Sequence, residues 1–173
     1  MYNISIKETN IILFFYRKEN NMEKEKIDSF TGKYAFMSNF SYSPMKFADI
    51  TVPTAEHAFQ MMKTTDRNMR EFVAMAPTAS QAKSRGRGVK IRGDWEQIKF
   101  SVMHQIQTAK YRQNPHLRTA LLATGDAELE EGNWWHDNTW GDCKCERCRD
   151  IEGYNMLGNI LMKVRERLRE EEN

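Results

Sequence analysis

At 173 residues, with 40% hydrophobic side chains and a net charge of +2, the chain is long enough for one domain with a real core. It is too nearly neutral for bulk electrostatics to mark it as a nucleic-acid binder, so any contact with a polyanion has to come from a local patch. Eleven Met, nine Phe and four Trp supply the bulk that such a core needs.

The first residues hold one short apolar run, 11–16, between Lys7, Glu8, Arg17 and Lys18. A secretory signal needs a longer apolar region and a small-residue cleavage site, and a membrane span needs about 20 apolar residues. Residues 1–27 therefore read as a flexible N-terminal extension of a domain occupying 28–173, with no membrane association. All three cysteines fall between Cys143 and Cys148. An odd, clustered set argues against a disulfide framework and for a reducing, cytoplasmic setting.

From 30 to 43 the sequence interleaves aromatic residues with Ser38 and Asn39. Two short strands, 45–47 and 50–52, are predicted around a turn at Ala48-Asp49. They deliver the chain to Pro-Thr-Ala-Glu-His-Ala-Phe-Gln-Met-Met-Lys, residues 53–63. Helical spacing there puts Ala55, Phe59 and Met62 on an apolar face and Glu56, Gln60 and Lys63 on another. Thr54 is the expected N-cap. Glu56 then lies in the first turn, where the helix dipole favours its anion and suits it to accept a proton or steady a cation. The plainer alternative is a solvated polar face.

A helix near 69–75 is stopped by Pro77, and Thr78-Ala-Ser-Gln81 fits a capping box that opens the next one. That helix runs into residues 83–92, where five cations and two glycines occur in ten residues. Glycine allows close backbone approach and arginine binds two oxygens at once, so the segment can wrap phosphate or simply be a solvated basic loop. Asp94 is placed to cap a helix carrying Trp95, Ile98, Val102, Ile106 and Ala109 up to Lys110. Trp95 can stack on a base or open an apolar core stripe. A shorter helix, 116–123, ends at Gly125. The last, about 155–170, packs Leu157, Ile160, Leu161, Val164 and Leu168 and turns Arg165, Arg167 and Arg169 to solvent. The expected fold is mainly α: a compact helical single domain with a few short β-strands.

Residues 130–141, Glu-Glu-Gly-Asn-Trp-Trp-His-Asp-Asn-Thr-Trp-Gly, have no clean period and gather three tryptophans around His136 and Asp137. So much aromatic surface in a loop is either tucked into the core or lines a pocket. Downstream, Cys143, Cys145 and Cys148 with His136 can hold zinc tetrahedrally. Their Cys-x-Cys-x-x-Cys spacing lacks the second, separated pair of a common zinc site, so reduced thiols and no cofactor are expected.

Taken together and in order, Phe36-Met-Ser-Asn-Phe40, residues 53–60, Lys63, Ala82-Lys-Ser-Arg-Gly-Arg87, Asp94-Trp95, Leu121-Leu-Ala-Thr-Gly-Asp126, Asp137-Asn-Thr-Trp-Gly141 and Asn155-Met-Leu-Gly158 resemble the NADAR, or YbiA-like, family. The resemblance spans about 30–168. It implies a mostly α-helical fold and cleavage of N-glycosidic bonds, either in phosphoribosylamino-pyrimidine intermediates of riboflavin synthesis or between ADP-ribose and guanine, including guanine in DNA. Met37 stands where leucine is common, Ala48-Asp49 replaces a frequent Asp-Gly, and 142–154 is a cysteine-bearing form of a loop that other members shorten.

Carried over position by position, the resemblance implies catalytic roles for Glu56, Asp137 and Lys63. It implies substrate-binding roles for Asn39, Arg87, Trp95, Trp140 and Asn155. A carboxylate near the anomeric carbon would stabilise the sugar cation formed as the base leaves. Lys63 would bind phosphate, polarise a hydroxyl, or attack opened ribose as a neutral amine. The basic loop suits the diphosphate of ADP-ribose or a DNA strand as well as a single phosphate, and the balance leans slightly towards ADP-ribose chemistry. A non-catalytic ADP-ribose or nucleotide-binding module is the alternative, although such a binder has little use for two carboxylates beside an anionic ligand.

Overall fold

A computed structural model describes residues 25–172. The element order is β1 (Lys26–Ile27), a 3-10 turn (Gly32–Met37), β2 (Tyr42–Phe47), β3 (Ile50–Thr54), α1 (Ala55–Met61), α2 (Arg67–Ala74), α3 (Ala79–Arg87), α4 (Trp95–Gln113) and α5 (Pro115–Leu122). Then follow β4 (Glu128–Leu129), β5 (Gly132–Asn133), β6 (Asp142–Cys143), a 3-10 turn (Glu146–Cys148) and α6 (Met156–Glu170). The fold is mainly α with short strands, as the periodicity predicts. Most of the expected extension, residues 1–24, lies outside the described residues. Its end does not: β1 pairs in parallel with β4, which draws Lys26 and Ile27 into the fold.

The hairpin of β2 and β3 is antiparallel, and its turn residues Ala48 and Asp49 both have positive φ, 47° and 64°. This is the backbone of a tight hairpin turn, usually given to Asn-Gly or Asp-Gly. Met45 and Val52 face each other across the pair and are both buried, β2 lying against α4 and β3 against α1 and α2. The Gln113 side chain clamps the hairpin end by bonding both Lys46 N (2.8 Å) and Lys46 O (3.0 Å).

Helix starts follow the capping residues. The hydroxyl of Thr54 accepts from His57 N, Asp66 from Met69 N, and Thr78 from Gln81 N. Asp94 occupies the expected cap position of α4 without capping it, because its carboxylate is paired with Arg92 (2.5 and 2.9 Å). α4 is the central helix. It packs against α6, its buried Met103 and Ile106 sharing one core with Leu157 and Leu161 of that helix, and Lys110 and Tyr111 are wholly buried.

The plainer reading of α1 is excluded: all of α1 is buried, so its polar face is enclosed rather than solvated. The helix stops at Met61, so Lys63, expected on it, lies in the turn that follows. Two further expectations are corrected. The basic segment is not a loop at Gly86: α3 continues to Arg87, and Gly86 is buried where a helix side chain would strike α1. Arg165 is not on the solvated face of α6; it is buried, donating to Thr124 Oγ1 (2.7 Å) and Ala127 O (2.9 Å). These oxygens cluster at the turn between α5 and β4, where the buried Ala127 carbonyl needs a donor.

Candidate active site

α1, α3, the turn before β2 and the loop around β5 enclose a cavity of about 550 Å³. It has the size of an ordinary small-molecule site. Its apolar wall is aromatic: Phe30, Phe40, Phe59, Trp135 and Trp140. Its polar wall holds three carboxylates, Glu56, Glu131 and Asp137, and two lysines, Lys63 and Lys83.

Glu56 is fixed from both ends. Its backbone N–H donates to Asn39 O (2.9 Å), and one carboxylate oxygen accepts from Gln60 Nε2 at 2.8 Å. The first-turn position and dipole predict a low proton affinity. The structure reverses that: burial raises its pKa, and the Gln60 bond and the charges of Lys83, Lys63 and Arg87 only partly oppose the rise. Glu56 is therefore a stronger base than a solvated glutamate. Lys63 shows the opposite effect. Burial lowers its pKa, Glu56 pulls it back up, and Lys83 and Arg87 lower it further.

Glu131 was not singled out by its sequence context, since a Glu-Glu pair looks like solvated surface. The two side chains part. Glu130 is buried in ion pairs with Lys26 (2.7 Å) and Lys144 (2.8 Å). Glu131 turns into the cavity, where burial first, and then the charges of Asp137 and Glu56, push its pKa up to about 7. Lys83 was concealed in the basic run; it is the cation of that run that lines the cavity.

Asp137 is held by its own loop. One oxygen accepts from Thr139 N (3.1 Å) and Trp140 N (2.8 Å), while Asn133 bonds its backbone on both sides. The loop turns tightly enough that Gly141 lies against Glu131 O, 2.1 Å from where a Cβ would stand. The Asn39 side-chain oxygen accepts from Gln107 Nε2 (2.6 Å), leaving its amide hydrogens as the groups it can offer a ligand. Lys110 holds the Asn39 turn from behind. Buried in the core, it donates to Phe36 O (2.7 Å), Ser38 O (3.1 Å) and Ser41 Oγ (3.2 Å).

Of the residues expected at a site, Asn39, Glu56, Lys63, Asp137 and Trp140 meet at this cavity and three do not. Trp95 is buried behind it, 5.0 Å between ring centroids from Phe59, which itself meets Trp140 edge-on at 5.1 Å. An apolar helix stripe captured it. Arg87 is exposed at the end of α3 and acts on Glu56 and Lys63 only through its charge. Asn155 sits at the start of α6 in a left-handed conformation (φ 45°), bonding Glu131 N (3.1 Å) and Leu129 O (2.8 Å). It positions the Glu131 backbone rather than lining the cavity.

The NADAR domain family matches residues 14–169. The chain belongs to the NADAR family. N-glycosidase YbiA of Escherichia coli K12 is 37% identical over 137 residues, covering 78% of this chain and 82% of that protein. A Nostoc punctiforme N-glycosidase is 33% identical over 141 residues, with 79% and 86% covered. A riboflavin biosynthesis protein of Vibrio vulnificus is 35% identical over 160 residues, 91% of this chain but 39% of that longer protein. The NMR structure of E. coli YbiA superposes with a TM-score of 0.76 at 35% identity, covering 87% of this chain and 89% of that one. This NADAR protein is an N-glycosidase. No helix among its described residues is long and apolar enough to cross a membrane.

Proposed function

We propose that the cavity hydrolyses the bond between ribose C1′ and a base nitrogen in a phosphorylated ribosyl substrate, and that the preferred substrate is ADP-ribose attached to guanine. The observation that carries this reading is the meeting of Glu56, Glu131 and Asp137 with an aromatic wall and two lysines in one cavity.

The chemistry divides among these groups. As the C1′–N bond breaks, its electron pair goes to the base nitrogen, and Glu131, half protonated near neutral pH, delivers the proton there. Glu56 faces the developing sugar cation, stabilises it and accepts a proton from the water that attacks C1′. Asp137, fixed by two amides, orients the ribose hydroxyls or that water. Trp140 stacks on the base, Asn39 donates to ribose or base edges, and Lys63 and Lys83 take the phosphate side. Free base and free sugar phosphate are the products.

The preference for ADP-ribose rests on the mouth of the cavity. Phe40 and Trp135 line it yet stay 43% and 64% exposed, with Arg87 nearby on α3. Aromatic surface and cations continuing outward suit the second nucleotide half of ADP-ribose, or a flanking base when the guanine is in DNA. A second reading, cleavage of phosphoribosylamino-pyrimidines, is favoured by relatives from Vibrio vulnificus and Zea mays that are named riboflavin biosynthesis proteins. Side-by-side incubation with ADP-ribosylated guanine, free and in DNA, and with the pyrimidine intermediates separates them. Faster base release from the ADP-ribosyl substrates supports the first reading; turnover of the pyrimidines alone selects the second; tight binding without turnover of either makes the cavity a recognition module.

A further inference from the structure

The loop that carries Trp135 and Asp137 into the cavity folds back on its other side, and four side chains able to bind a metal meet there. The Sγ atoms of Cys143, Cys145 and Cys148 and a ring nitrogen of His136 all lie within 4.8 Å of one another. His136 Nδ1 is 3.2 Å from Cys145 Sγ and 3.4 Å from Cys148 Sγ. Around a tetrahedral zinc ion, with bonds of about 2.3 Å to sulfur and about 2.0 Å to nitrogen, neighbouring ligand atoms stand roughly 3.5–3.8 Å apart. The four atoms lie close enough to converge on one such ion with small side-chain adjustments.

Two further features go unexplained if these are ordinary thiols. His136 has φ 67°, a left-handed backbone that a side chain other than glycine adopts at a cost, and this conformation is what aims its ring at the sulfurs. Cys143 and Cys148 are buried, yet neither belongs to the main hydrophobic core. The surrounding segment has little else to hold it: β5 and β6 pair over two residues each, and residues 144–154 contain one short 3-10 turn. A small loop without a core of its own is the setting in which a metal supplies folding energy.

The geometry points to a structural zinc site of the Cys3His type at His136, Cys143, Cys145 and Cys148. On binding, each of the three thiols loses its proton to solvent and the imidazole binds neutral through Nδ1, leaving a centre of net charge −1. Arg147 and Arg149, next to the ligands in sequence, supply balancing charge. Four protein ligands leave no open position for substrate or water, so the ion shapes the loop and takes no part in the reaction. Its effect on the cavity is indirect, through His136 to the adjoining Asp137 and Trp135. The expectation of incidental thiols, drawn from sequence spacing, is replaced by this proposal: the same four residues are named by the sequence, and their meeting in space stands in for the second separated pair that the spacing lacks.

The test uses the full chain, purified without added zinc and without chelator. Elemental analysis is expected to find about one zinc per chain, and exchange for Co(II) to give the visible absorption of a tetrahedral, thiolate-rich site. A thiol reagent is expected to label the three cysteines only after chelation, and Cys145→Ser, at the half-exposed ligand, to weaken metal retention while the helical signal persists. Substoichiometric metal in freshly purified protein with all three thiols freely labelled would overturn the proposal. So would a cobalt spectrum without sulfur-to-metal charge transfer.

Discussion

Gln60 and Gly86 fit together across α1 and α3 so closely that a Cβ at position 86 would lie 2.1 Å from Gln60 Oε1. The same Gln60 amide donates to Glu56 at 2.8 Å, while its own oxygen has no hydrogen-bond partner. A buried carbonyl left unpaired is costly, and here it accompanies the bond by which the same amide holds Glu56.

Replacing Gly86 by alanine should therefore act on Glu56 from a distance. In a solvated helix the change would add up to about 1 kcal/mol of stability. Here it should displace Gln60 and lower kcat by roughly tenfold, the loss expected when about 1.4 kcal/mol of positioning is removed. The double variant Gly86→Ala/Gln60→Ala should be no slower than Gln60→Ala alone, because both changes act through one amide. Additive losses in kcat would show that Gly86 acts by another route.

Glu131 sets a pH dependence of definite sign. Its folded pKa, about 7, lies above the ordinary 4.5, so the folded chain holds more protons than the unfolded chain between those values. Stability must then fall as pH rises through that window. Glu131→Gln removes the effect: its Tm should exceed that of the wild type at pH 8 and converge with it near pH 5. Activity should move the other way. Base release by the wild type should decline above about pH 7 as the proton is lost, and the glutamine variant should be slow at every pH. Matching melting curves at pH 8 would place Glu131 in solvent.

How much of this was legible depended on whether local pattern and final burial agreed. The helix carrying Glu56 could be read because Thr54 caps it and its apolar spacing is regular, although it ends at Met61 and leaves Lys63 in the turn beyond. The hairpin could be read from its flanking strands, although its turn residues are unusual. Glu131 could not, because neighbouring glutamates look alike until tertiary packing sends one to Lys26 and Lys144 and the other to the cavity. Arg165 misled in the same way: a long cationic side chain reads as solvated unless its partners, distant in sequence, are known. Trp95 carried a motif position and a core position at once, and packing took it for the core.

Lys110→Met should expose the dependence of the site on its support. The change keeps the volume but removes the bonds from Lys110 to Phe36 O and Ser38 O, which keep only the weaker donors of Ser41, at about 1 kcal/mol for each bond lost. Chemical denaturation should show that loss. The turn bearing Asn39 and Phe40 should loosen as well, so KM should rise. A fall in stability with KM unchanged would separate the turn from substrate binding.

The two aromatic positions should separate cleanly. Trp140→Ala removes a cavity wall and should raise KM by about tenfold or more, since stacking on a base contributes about 1–3 kcal/mol. Trp95→Ala removes core volume beneath Phe59 and should lower stability by about 3–5 kcal/mol. Trp95→Phe should restore much of that stability and leave KM near the wild-type value. If Trp95→Phe instead weakens substrate binding as strongly as Trp140→Ala, the indole of Trp95 reaches the ligand.

The most direct measurement is the rate of free-base release from ADP-ribosylated guanine by the wild type and by Glu56→Gln, with the folded state of both checked by thermal melting. The glutamine keeps the size and a partner for Gln60 but cannot carry the charge that faces the sugar cation, so kcat should drop about 100- to 1000-fold with little change in KM. A folded Glu56→Gln protein that releases base at the wild-type rate would contradict the account.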